Sequence, residues 1–381
     1  MKFEIFHIIV DELRRIFRDP GVTVIFVVAT LAYPFIYKAI YWNEQITDVP
    51  VAVVDLSNSP QSREFLHRWN ASPDIRLTVT CSSMAEAEQL LRNQEVHGII
   101  YFPRDFARQL ADPLGQAHIS LYCDMSSFLY MKAIYLSCNQ VMLESMRNIQ
   151  IDRYEQMGVG KEFAWALVQD APYHETALFT PTGGYGSFLI PAVLVLLLHQ
   201  TLFFGICMLG GTAREEQVDQ YSFRSLVGRA CAYFLIYYAL AAILLGFLPR
   251  LFNIPHIGSI GDILMLMVPY LLAVIFFSMC VSVFIRNRES GLVLLISSSL
   301  IFLFLAGISW PKEMIPQAWW YVASCIPYTW GAHAFIHINS MGASLPLVST
   351  EYIALWIQVA VYFLLACGLF YIKKSRVLLR M

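Results

Sequence analysis

Six stretches of this chain are long and apolar enough to cross a membrane, and that fact removes most other folds from consideration. A helix needs about 20 apolar residues to span the hydrocarbon core. Six windows meet this, roughly Gly21–Ile40, Phe188–Gly210, Ala230–Leu248, Ile263–Ile285, Gly291–Trp310 and Tyr352–Ile372. All are almost free of charge. The chain is 57% hydrophobic and only 14% charged, against about 25% charge in soluble domains. It lacks the polar surface to keep that apolar mass in water, so lipid must cover part of it.

Orientation follows from lysine and arginine in short flanks. One side collects Lys2, Arg14, Arg15, Arg18, Arg214, Arg224, Arg229, Arg286, Arg288, Lys373, Lys374, Arg376 and Arg380. The other offers little beyond Arg250 and Lys312. This asymmetry puts both termini in the cytoplasm, and six spans require that parity. Tyr37, Tyr41, Trp42 and Trp310 mark the outer boundary as an aromatic belt.

Residues 1–20 form a separate unit. Phe3, Phe6, Ile9, Val10, Leu13, Ile16 and Phe17 recur at helical spacing, opposite charged residues. The pattern suits an amphipathic helix lying in the cytoplasmic interface. Asp19-Pro20 supplies a cap and a first-turn proline for the first span over 21–42. The first twenty residues are too charged for a cleavable signal peptide.

Residues 43–180 are too polar to span. Strand signals at Val49–Asp55, Ile75–Thr80, Val96–Phe102 and Ile119–Cys123 alternate with helix signals. Ser59-Pro60 opens one helix, Ser83 with Glu86 makes a capping box, and Pro103 starts another. This alternation predicts an α/β domain, followed by a long helical segment broken at Gly158 and Gly160. By parity the domain is extracytoplasmic. Residues 181–381 then form a five-helix transmembrane region with a charged loop at 212–228.

The chain lacks the common catalytic signatures. Gly160-Lys161 is followed by Glu162, and Glu155 stands where a nucleotide-binding loop needs its first glycine. The eight cysteines contain no CxxC pair, which disfavours a zinc or dithiol site. A disulfide among Cys81, Cys123 and Cys138 stays open. His333 and His337 have i, i+4 spacing, so a metal site or acyl transfer is conceivable there; interfacial packing fits them better. His199-Gln200 in the second span and Gln358 in the sixth are intramembrane polar residues, hence candidates for a substrate pathway. Hydrogen bonding between helices is the alternative, and it also fits Ser297, Ser298 and Ser299. No chain of buried carboxylates argues for a proton-coupled pump.

The layout resembles the ABC type-2 permeases over essentially the whole chain. Val51–Ser59 (VAVVDLSNS), followed by Ser62-Arg63, is similar to that family's opening external strand and its Asp-x-Ser turn. Val96–Phe106 (VHGIIYFPRDF) is similar to its G-x-I-x-I-P-x-x-F segment, with Phe102 replacing the second isoleucine. Leu305–Pro316 (LAGISWPKEMIP) and Pro327 resemble the loop after the fifth span.

The resemblance implies a dimer of permease subunits, the second being this chain or a relative, in a bacterial inner membrane. It implies a separate ATP-binding subunit that carries ATP and magnesium and drives export, so that this chain has no catalytic residue and no cofactor of its own. A periplasmic adaptor is compatible with the layout; nucleic acid is not. The family places ATPase contacts in the loop that holds Arg214, Glu215 and Glu216, although here Gly211-Thr212 precedes the charges. The apolar spans favour a hydrophobic or amphipathic substrate. A receptor or scaffold that binds through the external domain is the alternative reading.

Overall fold

A computed structural model of the chain describes residues 2–43, 46–112, 116–168, 179, 184–217, 221–252 and 256–378. The end of the insert near residue 180, positions 218–220 of the expected loop and Arg380 lie outside the described residues. The chain divides into two compact units, residues 1–44 with 177–381 and residues 45–176.

The first unit is helical. Helix α1 (Lys2–Arg18) precedes α2 (Pro20–Ile40). Asp19 separates them as the cap, its Oδ1 accepting from the Gly21 and Val22 amides at 3.0 and 3.2 Å. Proline at the first helical position costs nothing there, because that amide has no partner in any helix. The chain returns as α8 (Tyr185–Glu215), α9 (Phe223–Leu251), α10 (Ile260–Ser282) and α11 (Arg288–Leu305). Two shorter helices, α12 (Gln317–Ser324) and α13 (Pro327–Met341), lead to the last, α14 (Ser349–Leu378).

Among the described residues, five helices are long and apolar enough to cross a membrane, at Pro20–Ile40, Tyr185–Glu215, Phe223–Leu251, Ile260–Ser282 and Leu345–Ser375. The chain is a polytopic helical membrane protein. The fifth sequence window corresponds to α11, which has 18 residues and ends at Leu305, short of Trp310. Gly307 adopts a φ of 75° just beyond it, a left-handed conformation that closes a helix.

The spans differ in how much of them the bundle covers. The most apolar stretch of α8 is wholly buried, whereas only 17% of that of α2 and 22% of that of α14 is. Helix α8 is therefore the axis of the unit, and most of the apolar stretches of α2 and α14 are left uncovered. Gly205 lets α2 approach that axis. A Cβ on it would lie 1.7 Å from Phe26 Cε1. Phe26 is fully buried and meets Tyr233 and Tyr237 edge-on, at ring distances of 6.1 and 4.9 Å.

The expected loop at 212–228 is shorter than its composition implied. Thr212–Glu215 continue α8, and Phe223–Gly228 are already the first turns of α9. No residue from Thr212 to Glu215 breaks a helix, so α8 extends beyond its apolar stretch.

The second unit is a sheet covered on both faces. It comprises β1 (Val49–Asp55), α3 (Pro60–Asn70), β2 (Ile75–Thr80), α4 (Met84–Arg92), β3 (Gly98–Phe102), α5 (Phe106–Ala111), β4 (Ser120–Cys123), α6 (Phe128–Gln156) and α7 (Lys161–Val168). The strand order is β2-β1-β3-β4, with β1 parallel to both neighbours and β4 antiparallel to β3. Alternation along β1 sends Val51 to a core with Phe65, Trp69, Phe102 and Ile134, and Ala52 and Val54 to a second core with Cys81, Ala87 and Ile99.

The Asp-x-Ser turn has a clear mechanism. Asp55 Oδ1 accepts from the amides of Ser57 and Asn58, and its Oδ2 accepts from the Ser62 hydroxyl at 2.6 Å. Ser59 and Ser62 then cap α3 reciprocally, each amide donating to the other's hydroxyl oxygen at 3.1 Å. The helix expected from Pro103 begins later, at Phe106, after a turn. At Ser83 the cap forms, but the Glu86 carboxylate reaches the amide of Ser82, one residue outside the box. Cys81 belongs to one core, Cys123 and Cys138 to the other, and all three are free thiols.

Candidate coupling site

The charged end of the helical unit is built from six helices joined by ion pairs and hydrogen bonds. Helix α1 lies along the first half of α9, where Gly228 leaves room: a Cβ there would stand 2.6 Å from Ile8 Cγ2. On the same face of α1, four residues apart, Glu12 is buried and Ile16 fully so. Glu12 accepts a hydrogen bond from the Tyr233 hydroxyl and stands 3.6 Å from Arg229 Nε. Phe6 and Phe17 point elsewhere and stay exposed. The apolar residues of α1 thus serve two surfaces, one packed on protein and one uncovered.

The second link joins α2 to α11. The Arg288 guanidinium grips both Asp19 oxygens, Nη1 to Oδ2 at 2.5 Å and Nη2 to Oδ1 at 2.7 Å. Such a two-point bond fixes direction as well as distance. Arg288 also donates from Nη1 to the Thr212 hydroxyl at 3.2 Å, and its backbone amide donates to Glu215 Oε1 at 2.9 Å. Gly211 permits this joint, since a Cβ there would fall 2.8 Å from the backbone of Asn287 and Arg288.

Arg214 turns inward. Its Nη2 donates to the Ser282 carbonyl at the end of α10 at 2.6 Å, and its Nε to the Tyr221 hydroxyl at 3.2 Å. It braces α8 against the end of α10 and the segment that leads into α9. Glu215 and Glu216 are exposed. Glu216 faces Arg15 of α1 at 3.9 Å, too long for a hydrogen bond. Of the three residues singled out at this end, Arg214 is a strut, Glu215 is exposed while accepting from the Arg288 amide, and Glu216 is exposed.

Sequence reasoning treated Asp19 as a cap and Arg288 as one flanking cation among several. Their partnership is invisible at a separation of 269 positions. The available signal was an acid within an otherwise basic flank.

Arg288 holds the Asp19 carboxyl below its ordinary value, chiefly through the hydrogen bond, with burial opposing. The folded state then binds fewer protons than the unfolded one, so the stabilisation is complete above the unfolded value. It is lost as pH falls through the folded value. The stability difference between native protein and Asp19→Asn is expected to be constant from about pH 8 to 5 and to shrink below about pH 4. Thermal melts of both proteins across that range check this; a difference that instead changes around neutral pH would reject it.

The intramembrane polar residues lie apart from this cluster. His199 is fully buried, and Gln200 nearly so. Neither ring nitrogen of His199 and neither amide atom of Gln200 has a partner among the described residues. Gln358 donates to the Ser324 carbonyl at 2.8 Å, while its Oε1 is unpaired. His333 bonds the Ala306 carbonyl through Nε2 at 2.7 Å, so this imidazole joins α13 to the end of α11. Among the described residues no three histidine, cysteine or acidic side chains cluster to hold a metal ion. Ser297 returns its hydroxyl to the Val293 carbonyl, an ordinary use within a helix.

The helical unit thus combines helices long and apolar enough to cross a membrane with a charged, ion-paired end, and the α/β unit is inserted in its sequence. The family described as ABC-2 family transporter protein matches residues 21–367, and the chain belongs to that family. No curated protein matches the chain.

Proposed function

We propose that this chain is the permease subunit of an ABC exporter, with six spans, α11 being the fifth, and both termini in the cytoplasm. On this reading the α/β unit is extracytoplasmic, and the ion-paired end of the bundle receives a separate ATP-binding subunit. ATP and magnesium belong to that subunit. A second permease, a copy or a relative, completes the transporter in a bacterial inner membrane. The substrate is a hydrophobic or amphipathic compound that passes the polar residues His199, Gln200 and Gln358.

The observation that carries this reading is the cluster in which α1, α2, α8, α9, α10 and α11 converge through Glu12, Asp19, Arg214, Arg229 and Arg288. A push delivered to the exposed Glu215, Glu216 or α1 reaches several helices through these bonds. An ATPase drives transport only if it binds one permease conformation more tightly than another. A contact surface bonded to many spans provides that difference, because the surface changes shape when the spans move. The exposed Phe6 and Phe17 suit a lipid interface beside the docking face.

The test is affinity purification from native membranes, with co-purifying proteins identified and ATPase activity assayed. A stoichiometric ATP-binding subunit is expected. Glu216→Lys should release it by tenfold or more. The Glu216 side chain is exposed and its nearest charged partner among the described residues, Arg15, is 3.9 Å away, so the change should cost under about 0.5 kcal/mol of stability. A clean preparation without any ATPase would reject the exporter reading.

A further inference from the structure

We infer that His199 is a substrate contact and that the substrate is an uncharged, largely aromatic molecule carrying a hydrogen-bonding group such as a phenol or an amide. This rests on the exporter reading and adds the substrate class.

The imidazole of His199 is surrounded by rings from four helices. Phe302 of α11 is edge-on at 5.2 Å, with Phe203 of α8 at 6.0 Å, Phe277 of α10 at 6.1 Å and Tyr328 of α13 at 6.3 Å. Phe203 also stacks on Phe277 at 5.6 Å. The Tyr328 hydroxyl is directed to the Ala192 carbonyl at 3.4 Å, away from the imidazole. Within this box His199 has no exposure, and both its nitrogens lack partners.

Buried polar groups are nearly always hydrogen-bonded, and each exception needs a cause. A phenylalanine at this position would complete the aromatic cluster with no unpaired atoms. The imidazole is explained if its partner is present for only part of a transport cycle. Gln200, the next residue on the most enclosed helix, has the same property, with both amide atoms unpaired.

The surroundings select the partner. The described rings that pack on the imidazole carry no charge, so an anion would enter without neutralisation from them. A sugar would bring many hydroxyls to a site with few polar atoms. Four aromatic rings and an imidazole, which when uncharged offers one donor and one acceptor, match a flat apolar body with a single polar group. His199 has no exposure in this arrangement, so a substrate reaches it only when the surrounding helices part.

The experiment uses the full-length permease in lipid nanodiscs with its co-purified subunits. Two matched probes, 1-naphthol and 1-methylnaphthalene, differ by a hydroxyl in place of a methyl. Saturable binding above lipid partitioning is measured by fluorescence. The native protein should prefer naphthol about tenfold, the equivalent of one net hydrogen bond. His199→Phe should abolish that preference while its melting temperature stays level or rises. His199→Gln, which keeps a donor and an acceptor, should recover part of the preference.

An unchanged preference in His199→Phe overturns the inference, as does the absence of saturable binding of either probe by the native protein. The exporter reading is judged separately by the ATPase in the same preparation. Its loss with probe discrimination intact would leave the binding site standing, and the reverse outcome would leave the exporter standing.

Discussion

Adding one methyl group at Gly205 should unfold the helical unit or strip the first span from it. In Gly205→Ala the new Cβ would fall 1.7 Å from Cε1 and 2.4 Å from Cδ1 of Phe26. The clash is with a ring that cannot swing clear, since Phe26 is fully buried against Tyr233 and Tyr237. Overpacking costs about 1–3 kcal/mol where neighbours can yield, so here the loss should reach about 3 kcal/mol or exceed it. The measurement is the yield of monodisperse protein after detergent extraction and its melting midpoint. Because Phe26→Ala alone leaves a cavity, the informative comparison is the pair. Gly205→Ala combined with Phe26→Ala should be no less stable than Phe26→Ala by itself. A Gly205→Ala protein that melts with the native one would mean that α2 does not depend on this close approach.

The second large effect is expected at Arg288. Arg288→Gln leaves Asp19 with its amide bonds but without its guanidinium. Breaking a fully buried pair from one side costs about 3–5 kcal/mol, and an exposed pair is worth about 0–1 kcal/mol. Asp19 is 14% exposed and Arg288 34% exposed in their side chains, so about 2 kcal/mol is expected. Asp19→Asn keeps a good capping residue, so the cycle of single and double substitutions isolates the ion pair. On the exporter reading Arg288→Gln should also uncouple the complex. Transport per ATP hydrolysed should fall about tenfold while the ATPase subunit stays bound, because α11 is released from the joint and Glu216 is untouched. Intact coupling in a destabilised Arg288→Gln protein would restrict the pair to a structural role.

Much of the architecture was legible because it depends on local pattern. The solvent dictates that each apolar window be a helix, since an unpaired backbone group in hydrocarbon costs several kcal/mol. The turn at Asp55 and the cap at Ser59 depend on residues a few positions apart, and so does the break at Gly158, where φ is 83°. The alternation of strand and helix signals in the inserted domain was legible for the same reason.

Partnerships between distant residues were not legible. Nothing in the order of residues told Arg214 from Glu216. Both sit at the charged end of α8, and only the packing of the end of α10 and the segment that leads into α9 turned one inward and left the other outside. The loop at 212–228 was overestimated because composition cannot say where a helix stops once it leaves the apolar layer. His199 was visible as a polar residue inside a span. Its lack of any partner needed Phe302, Phe277 and Tyr328 to be placed around it. The sequence by itself determined which segments are helical, which are apolar enough to cross lipid and which belong to the inserted domain, because solvent and local geometry act on each segment alone. The tertiary structure alone decided which charges meet, which glycines are contact points and which polar atoms stay unpaired, because those depend on the approach of segments that the chain does not keep close.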